Sequence, residues 1–115
     1  MGLLSSLFPP SVSAEAAAEA VRDGHRAVLD VRERREWDAG RIAGATHVPL
    51  ADLDARAREL ARERQFVAVC RSGVRSARAT ARLRRDGYDV VNLKGGLRAW
   101  ERAGLPLEPR NGRVA

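Results

Sequence analysis

The sequence predicts an α/β domain built on an open, mostly parallel sheet with helices on both faces. Three observations predict it. Short apolar runs at residues 27–31, 46–48, 66–69 and 89–93 alternate with helix-forming stretches, the connections are long enough to be crossovers, and 115 residues make one domain with a modest core. No internal repeat and no linker interrupts the pattern. A hydrophobic fraction of 44% excludes a disordered chain, and Gly 10 with Pro 5 excludes a collagen-like one.

Residues 1–12 read as an N-terminal extension. Its apolar side chains Leu3, Leu4, Leu7 and Phe8 are interrupted by Ser5 and Ser6, ended by Pro9 and Pro10, and lack a basic start. That makes a poor secretory signal and too short a membrane span, so a terminal strap on the domain and a cytoplasmic location are expected. Ser13 is placed to cap a helix over residues 14–23, rich in alanine and stopped by Gly24. Residues 27–31 form a strand of the type buried on both faces, in which Asp30 needs partners; Arg32, Arg34 and Arg35 follow at once. Residues 33–40 predict a helical turn around Trp37, and residues 40–45 a tight connection into a short strand at 46–48, closed by Pro49.

From Asp52 the apolar period becomes helical. Leu53, Ala57, Leu60 and Ala61 share one side, and Asp54, Arg56, Arg58, Glu59, Arg62 and Glu63 the other, which predicts an amphipathic crossover helix. Phe66-Val67-Ala68-Val69 is the candidate central strand, with Cys70 directly after it. A short loop leads into a helix over residues 76–85, with Ala77, Ala81 and Leu83 inward and Gly87 at its end. The last strand, residues 89–93, meets the Gly95-Gly96 pair and a short helix through Trp100. The domain is expected over residues 13–107, with a partly ordered tail at 108–115.

Lys+Arg 21 against Asp+Glu 15 gives a formal charge of +6, and Lys94 is the only lysine. The arginines are spread out, alternate with acids and lack interleaved aromatics. That pattern predicts a basic surface hospitable to anions and no specific nucleic-acid groove. One cysteine, Cys70, excludes an intrachain disulfide and a multi-cysteine metal cluster, and no metal site or cofactor is expected.

Val69-Cys70-Arg71-Ser72-Gly73-Val74-Arg75-Ser76 sets a thiol between a buried strand and a helix start, where ligands gather in open parallel sheets. A loop curled there can aim successive N–H groups at one point, Gly73 supplying a conformation costly to other residues. The helix terminus and the charges of Arg71 and Arg75 favour the thiolate. The alternative is a buried structural cysteine, which would not require two arginines and a glycine in the next five residues.

Four stretches together resemble the rhodanese-like family of sulfurtransferases: Leu29-Asp30-Val31-Arg32-Glu33 with Glu36-Trp37, Gly40-Arg41-Ile42-Ala43-Gly44-Ala45 leading to Val48-Pro49-Leu50, the loop from Cys70 to Arg75, and Lys94-Gly95-Gly96 followed by Trp100 and Gly104-Leu105-Pro106. The resemblance implies a parallel sheet of about five strands. It also implies that Cys70 carries sulfane sulfur as a persulfide, that Arg71, Ser72, Gly73, Val74 and Arg75 cradle the substrate, and that Arg75 closes the loop. Asp30 and Arg32 are expected to tie the first strand to the site. Arg41 stands where the family commonly has His; it can donate hydrogen bonds but not titrate near neutrality, so a supporting role is expected.

Tyrosine phosphatases and arsenate reductases also use a cysteine loop, but with five residues between Cys and Arg. Four intervene here, and no acid for leaving-group protonation is identifiable. The implied reaction moves sulfur from thiosulfate or another small anionic donor, or from a persulfide, through Cys70 to cyanide or a thiol, protein thiols included. With no second cysteine the acceptor is external. The rival expectation is a non-enzymatic partner-binding or protein-specific relay module.

Overall fold

The computed structural model describes residues 9–115, so the strap expected of Leu3, Leu4, Leu7 and Phe8 lies outside the described residues. Five strands, β1 (Ser11–Val12), β2 (Ala27–Asp30), β3 (Thr46–His47), β4 (Gln65–Val69) and β5 (Asp89–Leu93), form one parallel sheet in the order β1-β5-β4-β2-β3. The helices are α1 (Ala14–Arg22), α2 (Arg34–Ala39), α3 (Leu53–Arg56), α4 (Val74–Arg85) and α5 (Gly96–Arg102).

The pleat sends successive side chains to opposite faces. Phe66, Ala68 and Cys70 join Leu29, Val90, Leu53, Ala79 and Leu83 on one face, under α3 and α4. Val67 and Val69 join Val28, Val91, Ala17, Leu97 and Trp100 on the other, under α1 and α5. Burial on both faces explains why β4 reads as an unbroken apolar run, and each fully buried Val or Leu contributes about 1.5–3 kcal/mol. Ser13 caps α1 as expected, its Oγ accepting the Ala16 N–H at 3.1 Å.

Three details differ from the sequence reading. Strand β1 was not foreseen: Ser11 and Val12 pair beside Asn92 and Leu93, too short a segment to show periodicity. The helix expected from Asp52 breaks up: 3-10 turns at Leu50–Asp52 and Ala57–Glu59 flank a single α turn, and Leu60 is extended. The cause lies in Tyr88, whose hydroxyl donates to the Ala57 carbonyl at 2.9 Å, while Leu60 N–H donates to the same carbonyl at 2.9 Å. A continuing α-helix would have used that oxygen for Ala61, which is exposed instead.

The third difference concerns α4, which begins at Val74 and buries Ser76, Ala79, Thr80 and Leu83; Ala77 and Ala81 sit on its half-exposed flanks. Two hydroxyls thus face inward. Thr80 Oγ1 donates to the Ser76 carbonyl at 2.8 Å, and Ser76 turns toward Cys70. An apolar-period search cannot see a polar inner face of this kind.

The chain after α5 runs back along the α1–α5 side. Trp100 Nε1 donates to the Pro106 carbonyl at 2.9 Å, Leu105, Leu107 and Val114 pack on that core, and Arg41 exchanges two backbone hydrogen bonds with Glu108. No helix among the described residues is long and apolar enough to cross a membrane.

Candidate active site

Cys70 lies one residue beyond the carboxyl end of β4, and its side chain is fully buried. Its Sγ accepts from Gly73 N–H at 3.1 Å, Ser76 N–H at 3.4 Å and Ser76 Oγ at 3.3 Å. The Ser76 amide is one of the first-turn N–H groups that a helix leaves unpaired, here directed at sulfur. Three donors converging on one buried sulfur suit a negatively charged sulfur atom.

The loop is held open by its backbone. Gly73 has φ +99°, a left-handed conformation that favours glycine, and its carbonyl accepts from Asn92 Nδ2 at 3.1 Å. From α5, Leu97 N–H donates to the Cys70 carbonyl at 2.8 Å and Arg98 N–H to the Arg71 carbonyl at 3.1 Å. The approach is close enough that a Cβ on Gly96, itself at φ +65°, would lie 2.7 Å from the Cys70 oxygen. With these carbonyls turned to α5, the trans peptide planes leave the Arg71 and Ser72 N–H groups on the side away from it.

Arg75 does not stand as a free charge beside the sulfur. Its guanidinium grips Glu36 bidentately, Nη1 to Oε1 at 2.7 Å and Nη2 to Oε2 at 2.9 Å. That hydrogen bonding lowers the Glu36 carboxyl to about 2 against the opposing effect of burial, assisted by the Glu33 backbone and the charges of Arg75 and Arg32. Arg75 is pushed above its ordinary value, chiefly by Glu36 and less by Cys70. The two full charges expected from Arg71 and Arg75 therefore reduce to one, on exposed Arg71, plus a compensated pair.

Glu36 is placed by the polar tie at the end of β2. Asp30 and Arg32 are completely buried; Arg32 Nε and Nη2 lie 2.9 Å and 2.7 Å from the two Asp30 oxygens. Nη1 donates to the Glu36 carbonyl at 3.2 Å and Nη2 also to that of Gly40 at 2.7 Å, pinning the first turn and the C-cap of α2. Glu36 Oε1 also accepts Glu33 N–H at 3.1 Å, half of a capping box. Sequence reasoning placed Glu36 in a motif without giving it a role and passed over Ser76. The Glu33-x-x-Glu36 spacing was the available signal for the first, and a hydroxyl in the first turn after the cysteine loop for the second.

The carboxylate of Glu36 makes acid stability measurable. Its folded value lies below the unfolded one of about 4.5, so its contribution is fully present above pH 4.5 and is lost as pH falls toward 2. With Arg75 about one-third exposed, that contribution is on the order of 2 kcal/mol. Thermal melts between pH 2 and 6 should show Glu36→Gln less stable than wild type at pH 6 and the gap closing toward pH 2.

Arg41 and His47 hold the opposite side of this segment. Arg41 Nη1 donates to the Trp37 carbonyl at 3.1 Å and its guanidinium lies 5.1 Å from the centroid of the Trp37 ring. His47 stacks on Trp37 with centroids 4.6 Å apart, and its Nε2 lies 2.7 Å from the Arg32 carbonyl. A carbonyl only accepts, so Nε2 carries the proton. Ser72 is exposed and Gly73 buried, and Val74 stands 63% exposed on the loop's rim. Among the described residues no cluster of three or more His, Cys, Asp or Glu side chains is arranged to hold a metal ion.

Comparison with known proteins gives a consistent result. The model of the rhodanese-like domain matches residues 13–103. A sulfurtransferase of Allochromatium vinosum is 37% identical over 84% of this chain and 92% of its own length. A chloroplastic thiosulfate sulfurtransferase of Arabidopsis thaliana is 32% identical over 90% of this chain and 96% of its own. The crystal structure of a rhodanese-related protein from Thermoplasma volcanium superposes with a TM-score of 0.81 at 32% identity, covering 85% of this chain and 96% of that one.

Proposed function

Since this chain belongs to the rhodanese-like domain family, we propose that it is a sulfurtransferase that accepts sulfane sulfur from thiosulfate or a persulfide and hands it to cyanide or a thiol through a Cys70 persulfide. Kinship with named sulfurtransferases and the single buried cysteine support sulfur-transfer chemistry in general. The observation that carries the specific reading is the set of three donors on Cys70 Sγ. These donors suit the Cys70 thiolate, which is the attacking group of the first displacement and the leaving group of the second.

The reaction is a double displacement. Cys70 thiolate attacks the outer sulfur of thiosulfate; a new S–S bond forms, the donor's S–S bond breaks, and sulfite leaves with its electron pair. An acceptor thiolate then attacks the outer persulfide sulfur, and Cys70 leaves as thiolate. Electrons balance without an oxidant. In this scheme the loop of Arg71, Ser72, Gly73, Val74 and Arg75 surrounds the transferred atom, exposed Arg71 offsets the donor's charge, and Arg75 fixed on Glu36 holds the loop's shape. Asp30, Arg32 and Arg41 act as supports.

Purified protein mixed with thiosulfate should gain the mass of one sulfur atom and release one sulfite per chain, and cyanide should remove the added mass. Absence of any adduct would overturn the enzymatic reading and leave a partner-binding module in its place.

A further inference from the structure

The cysteine loop has a second side. A cleft of about 550 Å³ runs along it, walled by Ser72, Gly73 and Val74 of the loop, by Arg78 on α4, and by Lys94 and Gly95 after β5. Its lining includes two cations and no acid. Among the described residues neither Arg78 nor Lys94 enters an ion pair. Val74 is the one large exposed hydrophobic side chain among them. Asn92, 8% exposed, lines the same cleft; its Nδ2 is fixed on the Gly73 carbonyl, and its Oδ1 is, among the described residues, the one buried side-chain acceptor left without a donor.

Resting on the sulfur-transfer reading, we propose that this cleft docks an acidic segment of a protein that carries the acceptor thiol. Unpaired Arg78 and Lys94 recognise its carboxylates, and Val74 offers an apolar contact. Gly73 links cleft to chemistry: it forms part of the wall, and its N–H donates to Cys70 Sγ at 3.1 Å. A second copy of this chain fits poorly, since it carries the same charge of +6. A nucleic acid fits poorly too, as no aromatic side chain lines the cleft for base stacking. The transfer is the second displacement above: the acceptor sulfur bonds to the outer persulfide sulfur, and the bond to Cys70 breaks.

The test is single-turnover transfer from Cys70 persulfide, loaded beforehand and verified by mass. The acceptors are a cysteine peptide with glutamates and a leucine, its lysine counterpart, and neutral dithiothreitol. The acidic peptide should react about tenfold faster than the basic one, the scale on which charge complementarity alters encounter rates. Arg78→Gln with Lys94→Gln should abolish that preference and Arg78→Glu with Lys94→Glu should invert it, each leaving the dithiothreitol rate within about twofold. Reversal of two remote exposed arginines, Arg58→Glu with Arg85→Glu, should leave it in place. No preference in wild type, equal loss in the remote pair, or competition by an oligonucleotide as strong as that by the acidic peptide overturns the proposal. Failure to load persulfide at all would instead strike the sulfur-transfer reading.

Discussion

Cys70→Ser should form no sulfur adduct with thiosulfate and lose at least about a thousandfold in sulfur transfer, while keeping its fold. The reason is chemical and steric at once. An oxygen nucleophile cannot form the S–S bond on which the second displacement depends, yet the hydroxyl is close in size to the thiol and can accept from the same Gly73 and Ser76 donors. Cys70 sits within the core packed by Leu29, Phe66, Ala79 and Leu83, so a cost of about 1 kcal/mol is expected from the smaller atom. Intact mass after thiosulfate, sulfite release and a thermal melt together make the check. A serine variant that retained transfer would place the nucleophile elsewhere; one that failed to fold would show that the sulfur's packing, and not its reactivity, fixes this position.

Much of this arrangement was legible in the residues because its causes are local. Apolar β4 ending at Cys70, glycine at the left-handed position 73 and the cap at Ser13 all follow from backbone and burial rules acting over a few residues. The features that escaped depend on partners distant in the chain. Glu36 and Arg75 are 39 residues apart, and only the sheet order, which sets β2 beside β4, brings their loops together. Tyr88 interrupts a helix 31 residues earlier by claiming one carbonyl. Ser76 and Thr80 look like a solvent face until their acceptors are in place, the Cys70 sulfur for Ser76 and the Ser76 carbonyl for Thr80.

The site is consequently built in two tiers. The donors to Cys70 come from the loop and first turn of α4, and α5 fixes that loop by its carbonyls. Behind them runs a relay of charged pairs, Asp30 to Arg32 to the Glu36 carbonyl, then Glu36 to Arg75. Its effect is to remove Arg75's charge from the sulfur's immediate account and use it as a strut. That leaves exposed Arg71 as the cation of the cysteine loop free to meet an anion arriving from solvent.

Arg32→Ala should therefore be the most damaging substitution outside the cysteine loop, destabilising the domain by about 3–5 kcal/mol. Removing this side chain leaves the Asp30 carboxylate with full burial and without its bidentate partner, and strips the Glu36 and Gly40 carbonyls of their donors. Against a total of about 5–15 kcal/mol for a domain this size, such a loss lowers the melting temperature on the order of 15 °C. The double variant Asp30→Leu with Arg32→Leu distinguishes charge from scaffold. It removes the uncompensated carboxylate, so part of the stability should return, but α2 stays untethered and Arg75 loses a firmly placed Glu36. Sulfur transfer should then remain depressed at a temperature where the double variant is fully folded. Full recovery of transfer along with stability would show that Arg32 serves the fold alone; no recovery of stability would show that its hydrogen bonds to Glu36 and Gly40 outweigh the ion pair.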